Sequence, residues 1–435
     1  MSAAVLEITN SRGLMKKKRV AVTGLGVIAL NGCNVKDFWT ATCNGRSGVR
    51  PITTFDTSPF KAKVAGIVEY FDEEDCEVSA ASQAGYDRYV LFALAAASEA
   101  VNMAKLDFDK LDPHRIGVCV ATAIGATKYL EEEFLHLTDG GHGDVDAEKA
   151  SPVLLSGLGF HVASTEIARR YGASGPVSTL ATGCTGGIDA VGEALDMIRS
   201  GNADIVIAGA SDAPITPIAL GAFDIIGAVT SDRNDKPESA SRPYDASRSG
   251  FVLAEGAGIF ILEDMEHAIA RDAHIFAEIS GFGSTCNAHH MTDLKPDGED
   301  LHRAMVLSLA DAGFAFAEIS HVNAHGSSTP QNDINETNAI KRTFGDYAYR
   351  IPVTSIKSIV GHALAAANAI ELVASIQSIV HQEVPPTLNL HQPDPACDLD
   401  YVPGKGRPAV LGHILKDASG FSGIHSALII SQITP

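Results

Sequence analysis

Three short turns hold residues whose types and spacing can do chemistry. The first is Thr182-Gly183-Cys184-Thr185-Gly186-Gly187, directly ahead of an apolar stretch in which Ile188, Val191, Leu195 and Ile198 recur at helical spacing. A thiol at a helix start lies near the positive end of the macrodipole and near unpaired backbone N–H groups. Both favour the thiolate, so the motif predicts a nucleophile of lowered pKa. The glycines let a ligand such as an acyl group approach the backbone closely. A buried structural cysteine before a glycine-rich helix start is the competing reading of this motif taken alone.

The second turn, Asn323-Ala324-His325-Gly326-Ser327-Ser328-Thr329-Pro330, follows an apolar strand-like segment. A histidine there can project into a cleft and donate to a developing oxyanion; a satisfied core histidine is the alternative. The third, Ser355-Ile356-Lys357-Ser358-Ile359-Val360-Gly361-His362, runs into an apolar helix expected from Ala363. A lysine in such apolar company needs a partner or a role, and Glu336 and Glu371 are possible carboxylate partners for Lys357. His362, at the expected helix start, meets a positive potential that keeps the imidazole neutral and able to donate. One cysteine, two histidines and one lysine in glycine-framed turns suit acyl transfer through sulfur with donors for an oxyanion.

The elements that must position these turns alternate. Residues 20–26, 116–121, 205–210 and 258–263 read as buried strands, and 89–102, 152–171 and 185–200 as helices, which is a layered α/β architecture. A duplication is visible. The strand-glycine pattern of 20–26 recurs at 277–283, and the helix after Cys184 has a counterpart in 363–380. Each half closes with a glycine-rich stretch running into an apolar strand, at 255–262 and 420–430. A boundary is expected within 268–274, giving a flexible leader (1–17), a half carrying Cys184 (18–270) and a half carrying His325, Lys357 and His362 (271–435), packed as one body.

With 435 residues and 45% hydrophobic content the chain can bury a large core, and its formal net charge of −20 argues against a nucleic-acid partner or an anionic membrane surface. Seven cysteines without a Cys-x-x-Cys pair point to a reducing, cytoplasmic setting and no metal site. Lys16 to Arg19 before the apolar run 20–30 mimics a signal peptide, but the run is short, holds Thr23, Gly24 and Gly26, and lacks a cleavage site, so a buried first strand is expected. Gly24-x-Gly26-x-x-Ala29 satisfies a permissive dinucleotide pattern. Asn31-Gly32 interrupts the helix that should follow, and no acidic residue ends a second strand, which disfavours a nicotinamide oxidoreductase.

The three turns, with Ser241-Arg242-Pro243-Tyr244-Asp245, the stretch 250–256 and the stretch 397–403, resemble the signature of the β-ketoacyl synthases of the thiolase superfamily over about residues 18–431. Gly183, Gln331-Asn332-Asp333 and Thr216-Pro217-Ile218 are most similar to the ketosynthase α subunit of bacterial type II polyketide synthases. That resemblance implies a thiolase-like αβαβα fold of two similar halves and decarboxylative Claisen condensation. Cys184 would carry the acyl chain, His325 and His362 would stabilise the enolate, and Lys357 would orient His325 with Glu336 as its carboxylate neighbour and Glu371 in support. The backbone N–H groups of Cys184 and Phe421 would form the oxyanion hole, Ser327 and Thr329 would contact the phosphopantetheine arm, and Phe251 and Phe421 would border the acyl pocket. It also implies that no cofactor is bound to the chain itself, that substrates arrive on an acyl carrier protein docking at Lys61 and Lys63, and that a chain-length factor subunit completes a heterodimer. In that sister subunit glutamine replaces the nucleophile, so Cys184 places this chain with the catalytic partner. A homodimeric synthase of fatty-acid elongation is the nearest alternative; a degradative thiolase, which uses a second cysteine, and a non-enzymatic scaffold stand further off. The chain departs from the pattern at Ser422, Ala365 and Asn368, where glycines are usual; Ser422 is expected to affect gating by the Phe421 loop.

Overall fold

The computed structural model describes residues 17–74 and 85–433. Ten strands form one sheet: β1 (Val20–Ile28), β2 (Ile116–Ala121), β3 (Val177–Leu180), β4 (Ile205–Asp212), β5 (Gly256–Asp264), β6 (Ala277–Cys286), β7 (Ile319–Asn323), β8 (Val353–Thr354), β9 (His413–Ser419) and β10 (Ile424–Ser431). Their order is β8-β7-β9-β10-β6-β1-β5-β4-β2-β3. Numbered within its own half, each set of five strands has the order 3-2-4-5-1, and the two first strands meet antiparallel at the centre, Val20 opposite Ile279. Strand directions repeat as well. β2 runs parallel to β3 and β4, β7 runs parallel to β8 and β9, and each half ends in an antiparallel strand. The duplication glimpsed in the glycine patterns is therefore a duplication of topology.

The helices that matter for the site are α1 (Arg88–Ala104), α2 (Gly186–Arg199), α3 (Pro217–Ile225), α4 (Glu299–Ala312), α5 (Pro330–Phe344) and α6 (Ala365–His381). α1 covers the first half-sheet and α4 the second, while α2 and α6 pack against each other between the two, which gives the thiolase-like αβαβα layering. Almost every side chain of α6 is buried, as a helix flanked by protein on all sides requires. The contact between α2 and α6 depends on glycine. A Cβ at Gly187 would lie 2.5 Å from the Ala369 nitrogen and 2.7 Å from the Ala365 oxygen. Gly186 likewise faces the Ala365 methyl group, so the alanine that departs from the family pattern is accommodated by a glycine opposite.

One expectation changes. The helix expected over 152–171 is broken into Leu154–Leu158 and Val162–Tyr171. Gly159 between them is extended, and its carbonyl accepts a hydrogen bond from the buried Tyr89 hydroxyl instead of continuing a helix. The leader expected over 1–17 lies outside the described residues except for Lys17, whose ammonium pairs with Asp311, next to Lys18 paired with Asp264.

Candidate active site

The turn before α2, the segment between β7 and α5, the turn ahead of α6 and the end of β9 converge on one cavity of about 320 Å³. Its lining brings together Cys184, His325, His362, Ser327, Thr329, Phe251 and Phe421, which come from both halves of the chain. Lys357, Glu336 and Glu371 stand behind this wall, and Lys61 and Lys63 are exposed outside it.

Cys184 sits in a 3₁₀ turn, Gly183–Thr185, that leads into α2. Gly183 adopts φ +64°, a left-handed conformation in which a side chain would be strained. Burial pushes the thiol up to about 11, against the nearby Lys357 charge and the N–H groups of Phe421 and of Cys184 itself, which lower it. This differs from the expected low-pKa thiolate: the Lys357 charge and the two N–H groups act in the expected direction, but loss of hydration outweighs them. The same two N–H groups face the sulfur, where they can receive the oxygen of a tetrahedral adduct. Phe421 reaches Cys184 because the turn Phe421–Gly423 follows β9, with Gly420 packed against the Cys184 nitrogen. Ser422 holds φ 67°, so this departure from glycine places an L-residue in the left-handed region.

His325 follows β7. Gly326 beside it has φ +42°, and a Cβ there would come within 2.4 Å of Ser355. The His325 backbone N–H donates to Glu336 Oε1 at 2.6 Å and to Asp417 Oδ1 at 3.2 Å, and Gly326 N–H donates to Glu336 Oε2 at 2.9 Å. Lys357 Nζ donates to the His325 carbonyl at 2.8 Å and stands 3.5 Å from its Nδ1. An ammonium beside Nδ1 makes that nitrogen the acceptor, so the neutral ring carries its proton on Nε2.

The carboxylate partner of Lys357 is Glu371, at 2.5 Å, and not Glu336. Glu336 instead cradles the His325–Gly326 backbone, accepts from the Tyr244 hydroxyl at 2.7 Å and hydrogen-bonds the Asp417 carboxyl group. Burial, followed by Asp417, raises Glu336 well above the ordinary carboxyl range. Glu371 also pairs with Lys416 at 2.9 Å, and all three side chains are almost completely buried. Breaking such a pair by removing one member costs about 3–5 kcal/mol, so Glu371 holds two cations in place at once. Lys416 was missed from sequence, although the rule that singled out Lys357 applies to it: it interrupts the apolar run of β9.

His362 is not at the helix start. α6 begins at Ala365, and the intervening Leu364 takes φ 51° so that its N–H can donate to His362 Nδ1 at 3.1 Å. The neutral ring therefore also bears its proton on Nε2. Burial, then Lys357, keeps both histidines far below the usual 6.5. The rings meet edge to face at 5.2 Å, and Phe251 packs 5.0 Å from His362 and 5.4 Å from Phe223. Phe223 in turn contacts Phe421 at 6.4 Å. In the cavity wall, the Ser327 and Thr329 hydroxyls pair at 2.9 Å.

Sequence reading also missed Asp189, a buried carboxylate in the first turn of α2 that accepts from Thr182 (2.5 Å), Thr185 (2.6 Å) and Ser426 (2.5 Å). Asp212 at the end of β4 accepts from Thr122 Oγ1 at 2.7 Å and from the backbone at Ala123 and Ala365, and burial moves it up to about 6. Ser419, in the cavity wall, pairs with the buried His425 at 2.9 Å. None of these had a local motif to betray it. Among the described residues no cluster of His, Cys, Asp and Glu could hold a metal ion, and no helix is long and apolar enough to cross a membrane.

The fold together with its known relatives defines a condensing acyltransferase of the thiolase architecture. Residues 17–268 match the N-terminal domain of β-ketoacyl synthases and residues 276–391 the C-terminal domain. The chain belongs to the β-ketoacyl synthase family. It is 46% identical over 421 residues to a putative polyketide β-ketoacyl synthase 1 of Streptomyces cyaneus (95% of this chain, 98% of the relative). It is 41% identical over 418 residues to a 3-oxoacyl-[acyl-carrier-protein] synthase 2 of Synechocystis (96% and 99%). Among solved structures it is similar to a type II polyketide acyl-carrier protein in complex with its ketosynthase bound to the hexaketide (TM-score 0.90, 43% identity, 96% of this chain and 100% of that one). It is also similar to the ishigamide ketosynthase/chain length factor (TM-score 0.86, 34% identity, 96% and 100%).

Proposed function

We propose that this chain is the ketosynthase α subunit of a type II polyketide synthase, condensing malonyl units delivered on the phosphopantetheine of an acyl carrier protein. The observation that carries the reading is one cavity lined both by a cysteine whose sulfur faces two backbone N–H groups and by two neutral histidines.

Cys184 sulfur attacks the carbonyl of a carrier-bound acyl thioester. The N–H groups of Cys184 and Phe421 hold the oxyanion, and the carrier thiol departs with the proton given up by Cys184. A malonyl thioester then enters. Its bond to the carboxylate breaks, carbon dioxide leaves, and the electron pair forms an enolate whose oxygen is held by the Nε2–H groups of His325 and His362. The enolate carbon attacks the Cys184 thioester. Collapse of the second tetrahedral adduct expels the Cys184 thiolate, which takes up a proton, and leaves the β-ketoacyl chain on the carrier. Lys357, pinned by Glu371, keeps His325 neutral and fixes its tautomer; Glu336 fixes its backbone. Ser327 and Thr329 lie where the carrier's arm would enter, and Phe251 and Phe421 border the acyl chain. The division into halves at 270/271 and a cytoplasmic location belong to the same reading; no disulfide joins any two of the six described cysteines.

A partner subunit is supported by the surface. Phe134, Leu135, Leu155 and Phe160 are exposed, and β3 is an uncovered sheet edge. β3 runs straight into the turn that carries Cys184, so a subunit covering this edge also closes the site. Co-expression with a candidate chain-length factor is expected to yield a 1:1 heterodimer that makes long poly-β-ketones, whereas this chain alone is poorly assembled or weakly active. The Synechocystis relative favours the second reading, fatty-acid elongation. A stable homodimer that extends saturated chains at full rate would establish it in place of the first.

Lys61 and Lys63 are exposed and precede the short strand Val64–Gly66. Their backbone N–H groups are tied to Asp224 and Asn234, next to Ile226 and Gly227 of the cavity wall. An acidic carrier would meet them on approach. Charge reversal at both is expected to raise the carrier KM with little change in kcat. An unchanged KM at low salt would remove them from the docking surface.

A further inference from the structure

Asn368 occupies the first turn of α6, where the family pattern has glycine, and its side chain is completely buried. It does not line the cavity. Its Nδ2 donates across the helix interface to the carbonyl oxygen of Cys184, while its Oδ1 has no hydrogen-bond partner among the described residues. A buried amide left half-satisfied is not retained for packing alone, since an alanine of the kind found at Ala365 and Ala369 would carry no such burden.

The turn it touches is held from the other side as well. Asp189 accepts from the hydroxyls of Thr182 and Thr185, the residues that flank Gly183 and Cys184. Gly187 lies against Ala365 and Ala369, which brings α2 and α6 close enough for the Asn368 side chain to reach the Cys184 carbonyl. Thr182 and Thr185 are thus tethered through side chains, and the Cys184 peptide through its carbonyl.

We propose that Asn368 is a positioning residue for Cys184: its amide fixes the Cys184 carbonyl and so holds the thiol in line with the N–H groups of Cys184 and Phe421. The proposal rests on Cys184 being the nucleophile. It adds a chain-specific contact that tunes how readily the thiolate forms and how the acyl thioester is presented. A hydrogen bond worth about 1 kcal/mol corresponds to roughly a fivefold change in rate or equilibrium.

The test is the pH dependence of Cys184 alkylation by iodoacetamide, followed on the Cys184 peptide by mass spectrometry so that the exposed Cys286 does not contribute. Wild type must first lose condensation in step with that alkylation; if it does not, the nucleophile assignment fails and Asn368 is not at issue. With that established, Asn368→Ala is expected to slow alkylation at pH 8 about fivefold and to move its midpoint to higher pH. Asn368→Asp, nearly isosteric, is expected to move it further, because a carboxylate cannot donate and adds negative charge. Self-acylation should slow in the same order in both. Two well-folded variants with the wild-type midpoint and rate would overturn the proposal, as would lowered thermal stability with an unchanged alkylation profile.

Discussion

Replacing Cys184 by alanine is expected to abolish condensation outright, with a fold and thermal stability close to wild type. No other side chain in the cavity lies where the N–H groups of Cys184 and Phe421 converge, so no second group can carry the acyl thioester under the same oxyanion donors. Intact-protein mass spectrometry after exposure to acyl carrier protein should show acylated wild type and no adduct in the variant; an adduct on the alanine protein would sink the assignment. Cys184→Gln separates the two half-reactions. Its side-chain carbonyl can take the place of the thioester oxygen without accepting a chain, so malonyl decarboxylation should persist while condensation is lost. A folded glutamine variant unable to release carbon dioxide would show that the decarboxylation site requires the sulfur itself.

The second large effect belongs to the histidines. His325→Ala and His362→Ala are each expected to lower malonyl decarboxylation by about 10²-fold, the scale on which a single oxyanion donor acts in a site closed to water. Self-acylation at Cys184 should suffer less, because its oxyanion is held by backbone. Failure of acyl transfer with decarboxylation intact would reverse these roles. The pH profile adds an independent check. Both rings are held far below 6.5 by burial and the Lys357 charge, so decarboxylation measured in the Cys184→Gln background should be flat between pH 6 and 8 on their account. A limb near the ordinary histidine value would mean that one of them ionises in the site. The same depression makes the fold acid-sensitive. Below about pH 6.5 the unfolded chain binds protons on these histidines that the folded chain refuses, so their contribution to stability, present above that pH, falls as the pH drops.

Much of the site was legible because glycine-framed turns announce themselves locally. Cys184, His325, Lys357 and His362 each stand in a short motif whose residue types make sense only beside a ligand or a close backbone approach, and the structure places the cysteine and both histidines on one cavity with the lysine behind. The strands were legible for the same kind of reason. Runs such as 116–121 and 205–210 are too apolar to lie anywhere but inside a sheet covered on both faces. The helix over 152–171 was misread because its apolar spacing continues through Gly159, and only the Tyr89 hydroxyl packed against that backbone shows why it breaks.

By itself, then, the sequence determined the family, the two-half architecture and the identity of the groups that do chemistry, because these depend on local pattern and residue type. The tertiary structure decided how those groups are tuned. Whether Lys357 pairs with Glu336 or Glu371 depends on how α5 and α6 approach it, and periodicity is silent on that. The state of Cys184 turned on a competition between backbone N–H groups, expected from the motif, and loss of hydration, visible only once both halves had closed around the sulfur. Lys416, Asp189 and Asn368 are ordinary residues on ordinary elements. They matter because the sheet order and the glycine contact between α2 and α6 bring segments far apart in the chain to within a hydrogen bond of one another.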